Sequence, residues 1–310
     1  MIRDHRPAAA ANPAFPIEMI ALDIDGTLVS HDLQIAPRTA AALREAVRRG
    51  VRVSLATGRM PSSAMAFVNQ LGLHAPVIGH QGAVIRAMPR HREIARRVGP
   101  GSRGRVGRIL YHQPMAADVV RDAVVWCREH GMDPHINDLE RMVIWQGDPS
   151  FEDYSSYVGR DAELVADLGA AIRRPMTKVI AVGEAGQPMA LVEEARHAFA
   201  GRADPTVSHP RFLEFVAPGV SKGRAVAWLA WRAGIPMDRV LTAGDALNDF
   251  EMVKAAGHGI AMPTAPEAVR AAARYHAGPV GDAGIAELIE ALVLASPADA
   301  ARNAQRLAVR

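Results

Sequence analysis

The chain has 310 residues, of which 49% are hydrophobic and 22% charged, and this composition excludes a largely disordered protein. A chain of this length predicts about two domains, each with its own buried core. The single cysteine, Cys127, excludes a disulfide framework and favours a cytoplasmic location. The formal net charge of +3 is only mildly basic, so nucleic acid and small anionic substrates both stay open as partners.

Residues 1–16 predict a flexible extension before the first strand. They contain Pro7, Pro13 and Pro16, and they lack the apolar core of about 7 to 15 residues that a signal peptide needs. Nowhere in the chain do about 18 apolar residues follow one another, so we predict no membrane span and no membrane partner.

The first predicted strand, near 17–24, ends in a group of polar residues. Asp23 and Asp25 close an apolar run and are followed at once by Gly26. Residues i and i+2 of an extended strand share one side, so the two carboxylates would point into one crevice and repel each other. Ligands of open α/β sheets bind beyond such strand ends, which predicts a cationic group here. The alternative is that one acid caps the next helix while the other is solvated.

Helices and strands then alternate, as they do in βαβ units. We predict a helix over 36–50, a strand over 51–59, a helix over 62–72 and a strand over 75–85. The second strand also ends in residues that suit ligand binding, the hydroxyl of Thr57 and the bare backbone of Gly58. The pattern predicts a parallel α/β sheet with functional groups at its strand ends.

From about residue 86 to 208 the pattern changes to that of a separate α+β insertion. Apolar strands are predicted at 108–113, 141–147 and 176–183, between helices at 117–131 and 187–201. None of these strands ends in the acids or hydroxyls that mark the earlier ones. The segment is therefore predicted to form a domain of its own.

The stretch 86–108 is rich in arginine, with eight arginines against one acid, Glu93. A solvated hairpin, a nucleic-acid patch and a surface that attracts anionic substrates are three interpretations of it. No aromatic residues interleave with the arginines, which argues against a single-strand binder. We therefore expect no nucleic-acid partner.

The α/β pattern returns after about residue 212 with a predicted helix over 221–235. Ser221 is its candidate N-cap, and Lys222 lies in the first turn, where the helix dipole adds to its positive charge. Together they predict a corner of the fold that attracts anions.

A last apolar strand ends in Gly244 and Asp245, and Asn248 and Asp249 follow in the next loop or helical turn. It is the third predicted strand end with polar groups. We expect these residues to lie beside the first two strand ends.

Four carboxylates and one ammonium are then predicted to meet, those of Asp23, Asp25, Asp245, Asp249 and Lys222. Their net charge of about −3 is untenable without a cation. The candidate ligands are all oxygen atoms, and no cysteine or histidine clusters with them, which favours Mg²⁺ and disfavours zinc.

This set of groups suits phosphoryl transfer, because a carboxylate can attack phosphorus and form an aspartyl-phosphate that water then hydrolyses. Asp23 is the candidate nucleophile. Asp25 can protonate the leaving group and then deprotonate the attacking water. Thr57, the Gly58 amide and Lys222 would hold the phosphoryl oxygens as charge develops on them.

Four segments, "DIDGTL", "ATGR", "SKG" and "GDALND", resemble in this order the signature motifs of the haloacid dehalogenase superfamily of phosphohydrolases. The resemblance covers about residues 17–292. Asp25 and Thr57 are 32 residues apart, whereas Thr57 and Lys222 are 165 residues apart, so the inserted domain lies between the second and third motifs. This arrangement resembles the Cof-type branch, subfamily IIB, with a C2-type α+β cap.

The resemblance implies a Rossmann-like parallel-sheet core formed by 17–85 and 209–295, a cap formed by 86–208 and a C-terminal tail at 296–310. It implies a Mg²⁺-dependent phosphatase that hydrolyses phosphate monoesters, with a small phosphorylated metabolite as substrate. The alternatives are a phosphomutase of the same fold and a catalytically weak phospho-ligand-binding module. The substrate's identity and the oligomeric state stay open.

The resemblance also implies a set of metal ligands. The Asp23 carboxylate, the backbone carbonyl of Asp25 and the Asp245 carboxylate would hold the ion, with Asp249 close behind. Arg59 and Asn248 are candidates for substrate contact or loop support.

The chain departs from the family pattern at two positions. The family commonly has asparagine where this chain has Gln81 and Thr264. Because neither position performs the chemistry, we expect a change in substrate choice or loop geometry more than a loss of catalysis.

Overall fold

The computed structural model describes residues 14–89, 104–150 and 162–309. Its strands in chain order are β1 (Met19–Leu22), β2 (Arg52–Leu55), β3 (Val77–Gly79), β4 (Val84–Arg86), β5 (Ile109–His112), β6 (Asp133–Asp138), β7 (Arg141–Trp145), β8 (Glu163–Val165), β9 (Lys178–Val182), β10 (Asp204–His209), β11 (Phe212–Val216), β12 (Val240–Gly244), β13 (His258–Ala261) and β14 (Tyr275–His276). Its α-helices are α1 (Pro37–Arg48), α2 (Met65–Leu71), α3 (Ala117–Glu129), α4 (Leu168–Ala171), α5 (Gln187–Ala198), α6 (Lys222–Arg232), α7 (Phe250–Ala255), α8 (Glu267–Ala272), α9 (Gly284–Ile289) and α10 (Pro297–Leu307).

The described residues fall into two units by the density of their contacts. Unit 1 contains residues 14–57, 67–78 and 221–309, and unit 2 contains the described residues between 58 and 66 and between 79 and 220. The chain therefore passes from unit 1 to unit 2 directly after Thr57.

A five-stranded parallel sheet forms the centre of unit 1, with the strand order β14-β13-β12-β1-β2. Strand β1 lies between β12 and β2, and all four of its residues are buried. A strand covered on both faces needs a continuous apolar run rather than an alternating one, which is the pattern that β1 has. The predicted parallel α/β core is confirmed.

Unit 2 contains a six-stranded mixed sheet with the order β10-β11-β9-β6-β7-β8, antiparallel except for the β7–β8 pair. Helices α3 and α5 pack on this sheet through a core that includes Val120, Phe199 and Phe215. Cys127 is buried in the same core. Met60 and Ile180 belong to a second, smaller apolar cluster of this unit.

Two predicted segments are described only in part. Residues 1–13 of the N-terminal extension and residues 90–103 of the arginine-rich stretch lie outside the described residues, so both predictions stay untested there. The segment 296–310, predicted only as a tail, contains helix α10 with Ser296 as its N-cap. Among the described residues, no helix combines the length and the apolarity needed to cross a membrane.

His258 is a completely buried titratable residue at the start of β13. Its Nε2 lies 3.2 Å from the carbonyl oxygen of Ala14, which can only accept, so Nε2 carries the proton. Nδ1 then accepts from the hydroxyl of Tyr275 at 3.3 Å. Burial lowers the pKa of His258 from 6.5 to about 4, because the charged imidazolium would lose its hydration.

We expect His258 to make the protein less stable in acid. Between pH 6.5 and pH 4 the unfolded chain binds a proton that the folded chain does not, so the free energy of unfolding falls as the pH falls. Between pH 7.5 and pH 5 the free energy of unfolding should fall by about 2 kcal/mol less in His258→Gln than in wild type. Glutamine keeps a donor and an acceptor but does not titrate. Urea denaturation of both proteins at the two pH values measures this, and an equal loss in both would contradict it.

Candidate active site

Two acidic residues lie next to each other at the carboxyl edge of the unit 1 sheet. Asp23 directly follows β1 and Asp245 directly follows β12, and these strands are parallel neighbours in register, with Leu22 beside Ala243. The amide of Asp23 still donates to the carbonyl of Ala243 at 3.0 Å, which extends the ladder by one residue. Sheet pairing alone therefore brings these two carboxylates together.

Lys222 supplies the positive charge at this edge. Its helix, α6, begins where the hydroxyl of Ser221 accepts from the amide of Arg224 at 3.1 Å, so Ser221 is the predicted N-cap. The Lys222 ammonium donates to Oδ1 of Asp23 at 2.6 Å and to Oδ1 of Asp249 at 2.7 Å. Only 1% of Lys222 is exposed, so both ion pairs are screened little by solvent.

Asp249 organises the loop that follows β12. Its Oδ2 accepts from the amides of Asp245 and Ala246 at 3.0 and 3.1 Å, while its Oδ1 receives the ammonium of Lys222. The hydroxyl of Thr27 donates to Oδ1 of Asp245 at 3.4 Å. The two acids of this loop are therefore held by different partners, Asp249 by the backbone amides of Asp245 and Ala246 and Asp245 by the turn after β1.

Two glycines allow the close approach of these segments. Gly26 has a φ of +80°, and a Cβ there would lie 2.2 Å from Oδ2 of Asp245. A Cβ on Gly244 would lie 2.3 Å from the Cβ of Asp249, which is anchored close to the backbone and has little room to move. A side chain at Gly26 would displace Asp245, and one at Gly244 would displace Asp249.

The donor set of this edge suits a hard divalent cation. One carboxylate oxygen each from Asp23, Asp245 and Asp249 can be chosen so that all three lie within 4.8 Å of one another. All are oxygen donors, which is the ligand type that Mg²⁺ and Ca²⁺ prefer over zinc. The residues present therefore fit the predicted metal.

The charges at this edge are not balanced by the protein alone, because three carboxylates face one ammonium. Burial raises the pKa of Asp23 well above its usual range, and Asp249 and Asp245 raise it further, although Lys222 lowers it. Burial and the charge of Asp249 raise the pKa of Asp245 to about 7. Burial lowers the pKa of Lys222, but the charges of Asp23 and Asp249 outweigh it, and the net shift is upward. A bound cation would restore the ionised form of both acids.

Asp25 lies in the turn after β1 and is more exposed than Asp23. Strand β1 ends at Leu22, two residues before the end of the predicted strand, and Asp25 is exposed while Asp23 is 4% exposed. The turn closes through Gly26, whose amide donates to the carbonyl of Val29 at 3.0 Å. The condition for a shared side, an extended strand through Asp25, is therefore not met. The charge of Asp25 nevertheless raises the pKa of both Asp23 and Asp245, so its carboxylate lies near theirs.

The other predicted site residues lie in both units. Thr57 is buried two residues beyond the end of β2, and its amide donates to the carbonyl of Ile78 at 3.0 Å. Asn248 lies in a 3₁₀ turn of the loop that carries Asp249. Gly58 and Arg59 belong to unit 2, so their predicted roles stay predictions.

The motif "DIDGTL" by itself gives Thr27 no function. In the structure Thr27 is buried, and a buried hydroxyl beside acids is expected to donate to a carboxylate, as it does to Asp245. Of the two departures from the family pattern, Thr264 is exposed in a turn, whereas Gln81 is buried in unit 2. Only Gln81 is therefore placed to affect the packing around it.

The profile of the haloacid dehalogenase-like hydrolase family matches residues 20–99 and 105–289 of the chain. An HMP-PP phosphatase of Serratia proteamaculans is 28% identical over 80% of this chain and 84% of that protein. The chloroplastic endoribonuclease YBEY of Arabidopsis thaliana is 27% identical over 82% of this chain, but the match spans only 43% of that protein. A crystal structure of a haloacid dehalogenase-like hydrolase from Bacteroides thetaiotaomicron is similar with a TM-score of 0.73 and 25% identity, over 89% of this chain and 99% of that one.

Proposed function

Because the chain belongs to the haloacid dehalogenase-like hydrolase family, we propose that it is a Mg²⁺-dependent phosphatase that acts on small phosphate monoesters through an aspartyl-phosphate. The observation that carries this proposal is the position of Asp23. It is a buried carboxylate at a strand end, paired with Lys222 and adjacent to a second acid, Asp245. The single cysteine supports a cytoplasmic location.

In this proposal Asp23 attacks the phosphorus atom with the carboxylate oxygen that does not accept from Lys222. The contact of Lys222 with Oδ1 of Asp23 fixes the rotamer of the nucleophile before substrate arrives. Lys222, Thr57 and the Gly58 amide hold the phosphoryl oxygens as negative charge shifts onto them.

Asp25 is the proposed general acid and base. Its exposed side chain, next to the buried Asp23, suits proton exchange with a leaving group and then with water. Asp25 would first protonate the departing alkoxide and then take a proton from the water that hydrolyses the aspartyl-phosphate.

Asp23, Asp245 and the backbone carbonyl of Asp25 would hold the metal, with Asp249 behind them. When bound, Mg²⁺ would neutralise the repulsion between nucleophile and substrate phosphate. The relative named HMP-PP phosphatase supports a small phosphorylated metabolite as the substrate class of this chain.

We expect the protein to release inorganic phosphate from p-nitrophenyl phosphate and from some members of a panel of metabolite phosphates, and to require Mg²⁺. Excess chelator should lower the rate at least about 100-fold, because the metal supplies several kcal/mol of charge stabilisation. Returning Mg²⁺ should restore it. Release that persists in chelator would contradict the metal requirement, and an isomerised phosphate ester with little inorganic phosphate would indicate a phosphomutase instead.

A further inference from the structure

Unit 2 contains a buried ion pair that the proposed chemistry does not use. Lys178, on β9, pairs with Oε2 of Glu214, on β11, and their side chains are 2% and 4% exposed. Their strands are antiparallel neighbours in the six-stranded sheet. Charged residues are almost never buried this deeply unless they are paired.

The Lys178 ammonium makes a second contact that explains its position. It donates to the backbone carbonyl of Gly58 at 2.7 Å. Gly58 directly follows Thr57, where the chain leaves unit 1 for unit 2. The ion pair thus reaches the first peptide group of unit 2, one residue after the proposed phosphate-binding hydroxyl.

Glu214 extends the same network to the other side of Gly58. Its Oε1 accepts from Nε2 of Gln81 at 2.8 Å and also from the hydroxyl of Ser208. The Gln81 carboxamide lies against Gly58, where a Cβ would be 2.4 Å from Nε2 of Gln81. Gly58 is therefore enclosed between two side chains that Glu214 holds, Lys178 at its carbonyl and Gln81 at its Cα.

The backbone of Gln81 indicates that this placement has a cost. Gln81 has a φ of +60° and the preceding His80 a φ of +50°, which are left-handed conformations that residues other than glycine, asparagine and aspartate rarely adopt. Strained backbone of this kind persists where surrounding contacts impose it, and it concentrates at functional sites. The departure from the family's asparagine at this position thus falls on a residue that touches Gly58.

We propose that Lys178, Glu214 and Gln81 form a clamp that sets the orientation of the Gly58 peptide group and so positions the phosphate-binding segment Thr57–Arg59 for catalysis. The inference rests on the proposed phosphatase function and adds positioning residues to it. A buried ion pair contributes little net stability compared with apolar residues of the same shape, so stability alone does not account for this pair. The hydrogen bond to the Gly58 carbonyl does, because it fixes the plane of a peptide whose neighbour binds phosphate.

The test is the double variant Lys178→Met with Glu214→Gln, made in the full chain. It removes both charges, so neither is left buried alone, and the glutamine keeps a carbonyl oxygen for Gln81 and Ser208. Apart from the ion pair itself, the contact that it cannot replace is the donor to the Gly58 carbonyl. Val179→Ala is the matched control for a loss of packing. Val179 follows Lys178 on the same strand, and its side chain belongs to the apolar core on the other face of the sheet.

Three quantities are measured on each variant: the melting temperature, kcat and KM for p-nitrophenyl phosphate with Mg²⁺, and amide hydrogen exchange of a peptide that spans residues 57–60. The clamp predicts that the double variant keeps a melting temperature within a few degrees of wild type, exchanges faster at 57–60 and loses about 10- to 100-fold in kcat with little change in KM. Val179→Ala should melt earlier and keep its kcat.

Each outcome supports or overturns the inference. A double variant with wild-type kcat and wild-type exchange at 57–60 would overturn the clamp, and a kcat that falls only in proportion to lost stability would assign the pair a structural role. If wild type releases no phosphate from any substrate, the proposed function fails and the catalytic part of the inference fails with it. Hydrogen exchange at 57–60 distinguishes that case, because it reports the clamp without turnover.

Discussion

Asp23→Asn should abolish phosphate release, with kcat at least about 10³-fold below that of wild type at saturating Mg²⁺. The amide keeps the size of the carboxylate and can still accept from Lys222, but it is a far weaker nucleophile towards phosphorus. Removal of one of three carboxylates that face one ammonium also relieves repulsion, so the melting temperature in chelator should not fall. A steady-state assay and a thermal melt measure the two effects.

The matched control is Asp299→Asn, which removes an exposed carboxylate near the start of α10. It should leave kcat unchanged. If Asp23→Asn keeps more than about a tenth of the wild-type kcat, Asp23 is not the nucleophile. If it loses activity because the protein unfolds, the melt will show it, and the assignment then rests on trapping phosphate on Asp23 of the wild-type enzyme.

Lys222→Met should destabilise the metal-depleted protein by about 3–5 kcal/mol. The ammonium is the shared partner of Asp23 and Asp249, and its removal leaves both carboxylates buried against each other without a counter-charge. Mg²⁺ should recover part of the loss, because the cation binds the folded state and offsets the same repulsion. Urea denaturation at pH 8, once with chelator and once with Mg²⁺, measures the loss of stability and its partial recovery.

Lys254→Met, on the exposed face of α7, is the control. The Lys254 ammonium lies 5.4 Å from the ring centroid of Phe250, so its loss should change the free energy of unfolding by at most about 1 kcal/mol. Lys222→Met should also release phosphate far more slowly than wild type, since Lys222 both orients Asp23 and contacts the phosphoryl group in our proposal. Equal stability of Lys222→Met and wild type in chelator would show that the ion pairs contribute nothing to the fold.

The parallel core and the meeting of Asp23 with Asp245 could be read from the sequence because their signals are local. β1 is a continuous apolar run, which is what burial on both faces requires. Ser221 before Lys222 is a capping pattern that operates within one helical turn. Two strand ends with acids predict a meeting of Asp23 and Asp245, because the carboxyl ends of parallel strands lie at one edge of their sheet.

The end of β1 and the exposure of Asp25 could not be read in this way. β1 stops at Leu22 and Asp25 lies in the turn that follows, and the end of a strand depends on where its neighbours stop pairing as much as on its own residues. The hydrogen bond of Thr27 to Asp245 depends on the same turn. Both features depend on how the strands pack, so the sequence alone did not predict them.

Lys178 and Glu214 show the same division within unit 2. A charged residue inside an apolar strand could as well face solvent, because side chains alternate between the two faces of a sheet and one face of an antiparallel sheet is often solvated. The sequence therefore does not predict that Lys178 and Glu214 are buried. It does not predict the partner either. That partner, and the reach of Lys178 to the Gly58 carbonyl, follow from the order and register in which β9 and β11 pair. Capping and burial patterns depend on residues that are close in sequence, whereas contacts between distant residues form only when the sheets assemble.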